Sequence, residues 1–204
     1  MEQRSPEWFA ARCGSLGASQ LNEALATTKS GWGASRENLK NKIIAERLTG
    51  LPTEGFQNAA MLWGVEQEDN ARKAYEEATG TFVEEMGIAL HPTLKFTHAS
   101  PDGLVDDDGL IEIKCPNTTT HIETLKSQKV PTKYENQMMW QMRCTGRQWC
   151  DFVSFDPRLP DHLQLFVKRV PFDDYYIGIL EEKVAQFLEE VGQEIENLNE
   201  RFLA

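Results

Sequence analysis

Two periods of apolar residues organise the chain. In Leu110-Ile111-Glu112-Ile113-Lys114 apolar and polar residues alternate, the period of a strand. From Tyr176 through Leu180, Val184, Phe187, Val191, Ile195, Leu198 and Phe202 they recur three or four apart, the stripe of an amphipathic helix over 173–202. Its first half suits packing onto a sheet, and its end suits a subunit contact. Earlier in the chain, Ser5-Pro6-Glu7 predicts a capped helix to about Cys13. A second helix starts at Ser19 and runs to about Ala26. A loop over 27–34 holds Gly31, Trp32 and Gly33. Ser35 caps a helix to Thr49, stopped by Gly50 and Pro52. Residues 58–79 read as a helix ended by Gly80. Strands are expected at about 81–90, 96–105 and 110–115, helices at 118–127 and 132–145, and strands at 149–155 and 163–170. Helices, a central strand cluster, then helix, strands and helix predict one α/β domain with a mixed sheet.

Composition narrows the class. With 204 residues, 40% of them apolar and 26% charged, the chain can bury a single core. It lacks both an apolar run of about 20 residues and a signal-peptide core at its start, so a cytoplasmic protein without a membrane span is expected. Cys13, Cys115, Cys144 and Cys150 form no CxxC pair, and the four histidines lack ligand spacing; free thiols in a reducing compartment follow. The net charge of −11 argues at first against a nucleic-acid partner. However, the segment from Asp173 to Ala204 holds nine acidic and two basic residues. Most of the excess therefore lies in one helix, and acidic metal ligands add to it.

The candidate chemistry centres on Ser100–Lys114. Asp102 follows a proline, and Asp106-Asp107-Asp108-Gly109 reads as a hairpin turn. The hairpin brings Asp102 beside Glu112 and Lys114, which share one face of the next strand. Two converging carboxylates can hold a hard divalent cation, leaving the lysine to meet a water or a phosphate oxygen. A surface hairpin with a Glu/Lys pair is the equal alternative from those residues alone. Glu68 shares a helix face with Gly64, Ala71 and Tyr75 and so points inward, where a buried carboxylate needs a partner such as a metal; a solvated helix face is the commoner fate of a glutamate. A helix starting at Ser19, with Gly17 and Ala18 before it and Arg12 nearby, offers an anion its free N–H groups and a guanidinium. Plain capping is the commoner use of such a serine. Gln137 and Gln141, one turn apart, are either exposed polar positions or neutral donors to a phosphate or a water.

Taken in order, these segments resemble one family. Trp8 to Ser19, Trp63-Gly64 with Glu68 and Ala71-Arg72, Ser100-Pro101-Asp102-Gly103-Leu104, Glu112-Ile113-Lys114-Cys115-Pro116, Gln137, and Phe155-Asp156-Pro157-Arg158 are similar to lambda exonuclease and its YqaJ-type phage relatives. These belong to the PD-(D/E)xK nuclease superfamily, which also includes type II restriction enzymes. The resemblance covers about residues 5–190. It implies a restriction-endonuclease-like α/β core with a central mixed sheet flanked by helices. N-terminal helices and a DNA-contacting loop (1–57) precede the nuclease core (58–172), and an acidic amphipathic helix follows (173–204). It implies two Mg2+ ions, with Mn2+ as an alternative. Asp102 bridges them, Glu112 and the Ile113 carbonyl bind one, and Glu68 binds the other. Lys114 positions or activates the attacking water. Arg12, Ser19, Ser100 and Gln137 map to a pocket for the 5′-terminal phosphate.

The resemblance also implies a 5′→3′ exonuclease on linear double-stranded DNA that releases mononucleotides and leaves 3′ single strands. A ring-shaped homotrimer and a phage single-strand annealing protein are the implied partners. Lys29, Trp32, Arg36, Leu51 and Phe56 fall in regions that touch the duplex in relatives, without a one-to-one match. The cysteine spacing does not fit the iron–sulfur cluster of some related exonucleases. Two alternatives remain: an endonuclease on the same core, and a non-catalytic acidic protein of recombination.

Overall fold

The computed structural model describes residues 3–29, 31–53 and 58–203; Phe56 lies outside them. Helix α1 (Pro6–Arg12) begins as the sequence dictates: the Ser5 hydroxyl accepts the Trp8 N–H, and proline takes the first turn. Strand β1 (Leu16–Gly17) follows, then a 3-10 turn over Ala18–Gln20. Ser19 therefore does not cap a helix. It is exposed inside the turn, and the four-residue α2 (Leu21–Ala24) comes after it. The Gln20 side chain tightens the turn by accepting the Gly17 N–H at 3.0 Å. The expected loop is a short hairpin, β2 (Thr27–Thr28) with β3 (Gly31–Trp32), closed where Gly33 N–H donates to the Ala26 carbonyl. Helix α3 (Ala34–Thr49) is capped at Gly33, two residues before the expected Ser35 cap, and ends at left-handed Gly50. Helix α4 (Ala59–Thr79) is capped by Asn58 and ends at Gly80, also left-handed.

Each of the next two predicted strands is cut in two. Residues 81–90 give β4 (Val83–Glu84) and β5 (Ala89–Leu90), and residues 96–105 give β6 (Thr97–Ala99) and β7 (Gly103–Val105). Strand β5 pairs with β6, and β6 with β1, in a three-stranded sheet. Strands β4 and β7 join β8 (Gly109–Lys114), β9 (Trp149–Phe155) and β10 (Leu165–Pro171) in a five-stranded mixed sheet of order β10-β9-β8-β7-β4. The two segments thus change sheets side by side, around 85–88 and 100–102. Pro101 has no N–H to continue a ladder. The carbonyls freed at the switch find partners in the N-terminal segment. Gln3 Nε2 donates to Met86 O (2.7 Å) and Pro101 O (2.8 Å), and Trp8 Nε1 donates to Gly87 O (3.0 Å).

Helices cover both faces of the larger sheet. On one face, Ala71 and Tyr75 of α4 pack on Val105, Ile111, Ile113 and Val153. On the other, α6 (Glu135–Thr145) and α7 (Asp174–Phe202) bury Met138, Trp140, Met142, Ile177, Leu180, Val184 and Phe187 against Leu110, Cys150 and Phe152. Helix α5 (Thr118–Ser127) lies against β9. The first half of α7 packs on its own domain, whereas Phe202 is exposed. The cysteines are unbridged. Among the described residues no helix is long and apolar enough to cross a membrane.

Candidate active site

The sheet switch and the β7–β8 hairpin build the site. Gly103 pairs with Ile111 and Val105 with Gly109, so the hairpin forms in the register that sets Asp102 beside β8. Asp102 Oδ2 accepts the Ile113 N–H at 2.6 Å. Contrary to the picture of a half-exposed strand, β8 is central and covered on both faces, and Glu112 is buried. Helix α6 supplies what that burial requires. Gln137 Nε2 donates to Glu112 Oε1 at 2.6 Å and Gln141 Nε2 to Oε2 at 2.5 Å, while Lys114 Nζ forms an ion pair with Oε1. Burial opposes charge on Lys114, but Glu112 and Asp102 outweigh it and raise its pKa. Burial, then the charge of Glu112, pushes Asp102 well above the usual carboxylate range, and Glu68 adds to the effect.

Glu68 points inward as its helix face predicts, and its flanking Glu66 and Asp69 are exposed. Together with Asp102, Arg4 and Arg72 it lines an open cleft of about 450 Å3. Arg4 Nη2 lies 2.5 Å from Glu68 Oε2. Among the described residues no three His, Cys, Asp or Glu side chains stand close enough to form a ready-made metal cluster. Protein cations take up two of the carboxylates instead, Arg4 on Glu68 and Lys114 on Glu112. The donor set is nonetheless all oxygen, which suits a hard cation such as Mg2+. The raised pKa of Asp102 reflects its burial first and then the neighbouring negative charge of Glu112 and Glu68, which a cation would relieve.

The end-phosphate candidates divide. Arg12 and Ser100 meet: Arg12 Nη1 donates to Ser100 Oγ at 3.2 Å. Trp8 joins them, with its Nε1 3.1 Å from the same hydroxyl and its ring 3.9 Å from the guanidinium carbon. Burial lowers the Arg12 pKa to about 10, with Glu46 opposing, so the group stays charged at neutral pH. Ser19 sits on the exposed turn against which α6 packs. Gln137 holds Glu112 rather than Arg12 in this arrangement. Arg36, a candidate duplex contact by sequence, is buried at 1% exposure; it bonds Glu190 at 3.0 Å and stacks between Trp32 and Phe187. Trp32 is a local neighbour, but the ion-pair partner Glu190 lies in α7, 154 residues away, and Phe187 is in the same helix, so no local pattern announced this burial.

Residues 7–148 match the YqaJ-like viral recombinase domain. The chain belongs to the YqaJ-like viral recombinase family. Solved relatives agree. A crystal structure of LHK-Exo in complex with dAMP is 51% identical and covers 97% of each chain, with a TM-score of 0.90. A second, of an alkaline exonuclease (LHK-Exo) from Laribacter hongkongensis, is 50% identical over 97% of each chain, also at 0.90. A phage related exonuclease from Haemophilus somnus 129PT, 16% identical over 90% of this chain and 96% of that one, with a TM-score of 0.70, shares the fold. The comparison with curated proteins found no match. The YqaJ-family chain has a restriction-endonuclease-like fold and, as a member of this family, is a nuclease.

Four residues around the YqaJ-family site escaped the sequence: Trp8 as a site residue in its own right, His98, Arg4, and Tyr134, whose ring lies 5.1 Å from Lys114 Nζ. In the sequence Trp8 stood only as the start of a matching segment and His98 only as a histidine without ligand spacing.

Proposed function

We propose that the chain is a Mg2+-dependent 5′→3′ exonuclease on linear double-stranded DNA. It prefers 5′-phosphate ends, releases mononucleotides, and leaves 3′ single strands for homologous recombination by single-strand annealing. The observation that carries this reading is the turn Ser100-Pro101-Asp102. One end of it meets Arg12 and Trp8, and the other accepts the backbone of Ile113 beside Glu112 and Lys114. Two residues span at most about 7 Å of backbone. A phosphate held at Arg12 is therefore tied closely to the carboxylates that act on the strand. Each cut leaves a new 5′-phosphate, the group recognised in the next cycle.

Asp102, Glu112, Glu68 and the Ile113 carbonyl would hold two metal ions, Mg2+ or alternatively Mn2+. When bound, the ions supply an activated water and stabilise the attacking and leaving oxygens. Gln137 and Gln141 orient Glu112. Lys114, kept cationic by its two carboxylate neighbours, positions the attacking water. In this reading Ser19 and Gln137 would complete the phosphate pocket, Gln137 by turning from Glu112, which it holds in the structure. Residues 1–57 supply the N-terminal helices and a DNA-contacting loop, 58–172 form the catalytic core, and 173–204 add the acidic helix. The partners in this reading are double-stranded DNA ends, two further copies of the chain in a ring-shaped homotrimer, and a phage single-strand annealing protein.

The test uses one linear duplex with either 5′-phosphate or 5′-hydroxyl ends, beside a covalently closed circle, all with Mg2+. The phosphorylated linear form is expected to disappear fastest and the circle to survive. Cleavage of the circle would make the protein an endonuclease on the same core. Inertness towards all three with both Mg2+ and Mn2+ would favour a non-catalytic binding protein.

A further inference from the structure

Arg12 is held on three sides, and the third is unexplained by packing. Trp8 lies beneath the guanidinium and Ser100 Oγ takes Nη1. Beside Nη2 stands His98 of β6, which pairs in parallel register with Gly17 of β1. His98 is 1% exposed. Its Nδ1 lies 2.9 Å from Ser15 Oγ, and its Nε2 is buried without a hydrogen-bond partner. Burial, and then the charge of Arg12, lowers its pKa to about 3, so the ring is neutral at working pH. A neighbouring guanidinium favours the tautomer that turns a lone pair towards it. That leaves the proton on Nδ1, donated to Ser15, and an acceptor at Nε2 on the Arg12 side.

Gly17 makes this approach possible. A Cβ at that position would lie 3.1 Å from His98 Nε2 and 3.4 Å from Arg12 Nη2. A side chain there would press on the His98 ring, which would have to give by a few tenths of an ångström, and would touch the guanidinium. A buried nitrogen left unsatisfied costs stability that an apolar residue of similar size would not. Its presence beside a guanidinium of which Ser100 engages only Nη1 therefore calls for a functional account.

We propose that His98 is a positioning residue for DNA-end recognition: across the space left by Gly17, its unpartnered Nε2 sets where Arg12 presents Nη2 to a 5′-terminal phosphate. The inference rests on the end-phosphate reading of Arg12. Nη1 is fixed by Ser100, so His98 governs the angle of the second nitrogen, and with it the fork that a phosphate meets.

The experiment compares cleavage of 5′-phosphate and 5′-hydroxyl linear duplexes by the full chain with Mg2+. The variants are His98→Phe, His98→Gln and Gly17→Ala, with Arg12→Ala as the reference for loss of the pocket, and each is checked for cooperative melting. Loss of a whole charge-assisted hydrogen bond costs roughly tenfold or more. A misplaced one should lower the phosphate-to-hydroxyl ratio about fivefold in His98→Phe and Gly17→Ala, through a raised KM for the phosphorylated end. His98→Gln, whose amide oxygen can take the Nε2 place, should keep most of the ratio. If His98→Phe does not fold, Gly17→Ala carries the test, because a φ of −86° admits alanine. A full ratio in folded His98→Phe or in Gly17→Ala, with Arg12→Ala defective, overturns the role of His98 alone. Equal cleavage of both ends by the unaltered protein overturns the end-phosphate reading and this inference with it.

Discussion

Glu112 is a carboxylate in the middle of a sheet, and it is tolerable there because three side chains meet its two oxygens. Asp102 has one backbone N–H and two negative neighbours, and its raised pKa marks it as the less satisfied acid. That asymmetry has a consequence for stability without metal. A carboxyl whose folded pKa lies above its unfolded value destabilises the fold when ionised, and the penalty disappears once both states are protonated. Asp102→Asn should therefore be more stable than the unaltered protein at pH 7 in a chelator, and the difference should shrink on acidification towards about pH 4, where the unfolded carboxyl also takes up its proton. Denaturant melts of both proteins across that range measure it; a difference that grows on acidification would contradict this account. Asp102, Glu112 and Lys114 were legible because their spacing is local. The Arg12–Ser100 contact joins residues 88 apart, and Trp8 and His98 carry no signal separable from core residues.

At the scale of elements, the strand breaks matter most. Residues 81–90 and 96–105 read as two continuous strands, yet each serves two sheets, and the site occupies the place where they part. Pro101 is the local sign of a break, but which sheet each half joins depends on partners elsewhere. The β7–β8 hairpin, by contrast, is local and forms as expected. Its register depends on Gly109, where an added Cβ would lie 2.0 Å from the Trp149 ring, and that ring is itself packed 3.4 Å from the Arg169 guanidinium. Gly109→Ala should cost about 1–3 kcal/mol of stability by overpacking and lower cleavage by displacing β8 from Asp102. Urea unfolding reads the first effect and the linear-duplex assay the second; unchanged stability would show that Trp149 can yield.

At the scale of the molecule, the charge is uneven. The acidic excess concentrates in α7, whose inner stripe packs on α3 and α6 and whose end reaches exposed Phe202 and Leu203. Enclosure of the duplex by a ring would let a chain of net charge −11 act on DNA without a broadly basic exterior. The proposed homotrimer predicts a sedimenting species of about 70 kDa, three times the 23.2 kDa chain; a monomer at micromolar concentration would remove the enclosure argument. The sequence by itself determined the helices with strong caps and stripes, the hairpin at Asp106–Asp108, the inward face of Glu68 and the Asp102–Glu112–Lys114 constellation. All of these depend on neighbours a few residues apart, where backbone geometry alone fixes the relation. Only the tertiary structure decided that Glu112 is buried under α6, that Arg36 belongs to the core, that Arg4 sits on Glu68, and that Trp8 and His98 join Ser100 around Arg12. Those relations depend on which surfaces pack together, and no local period encodes them.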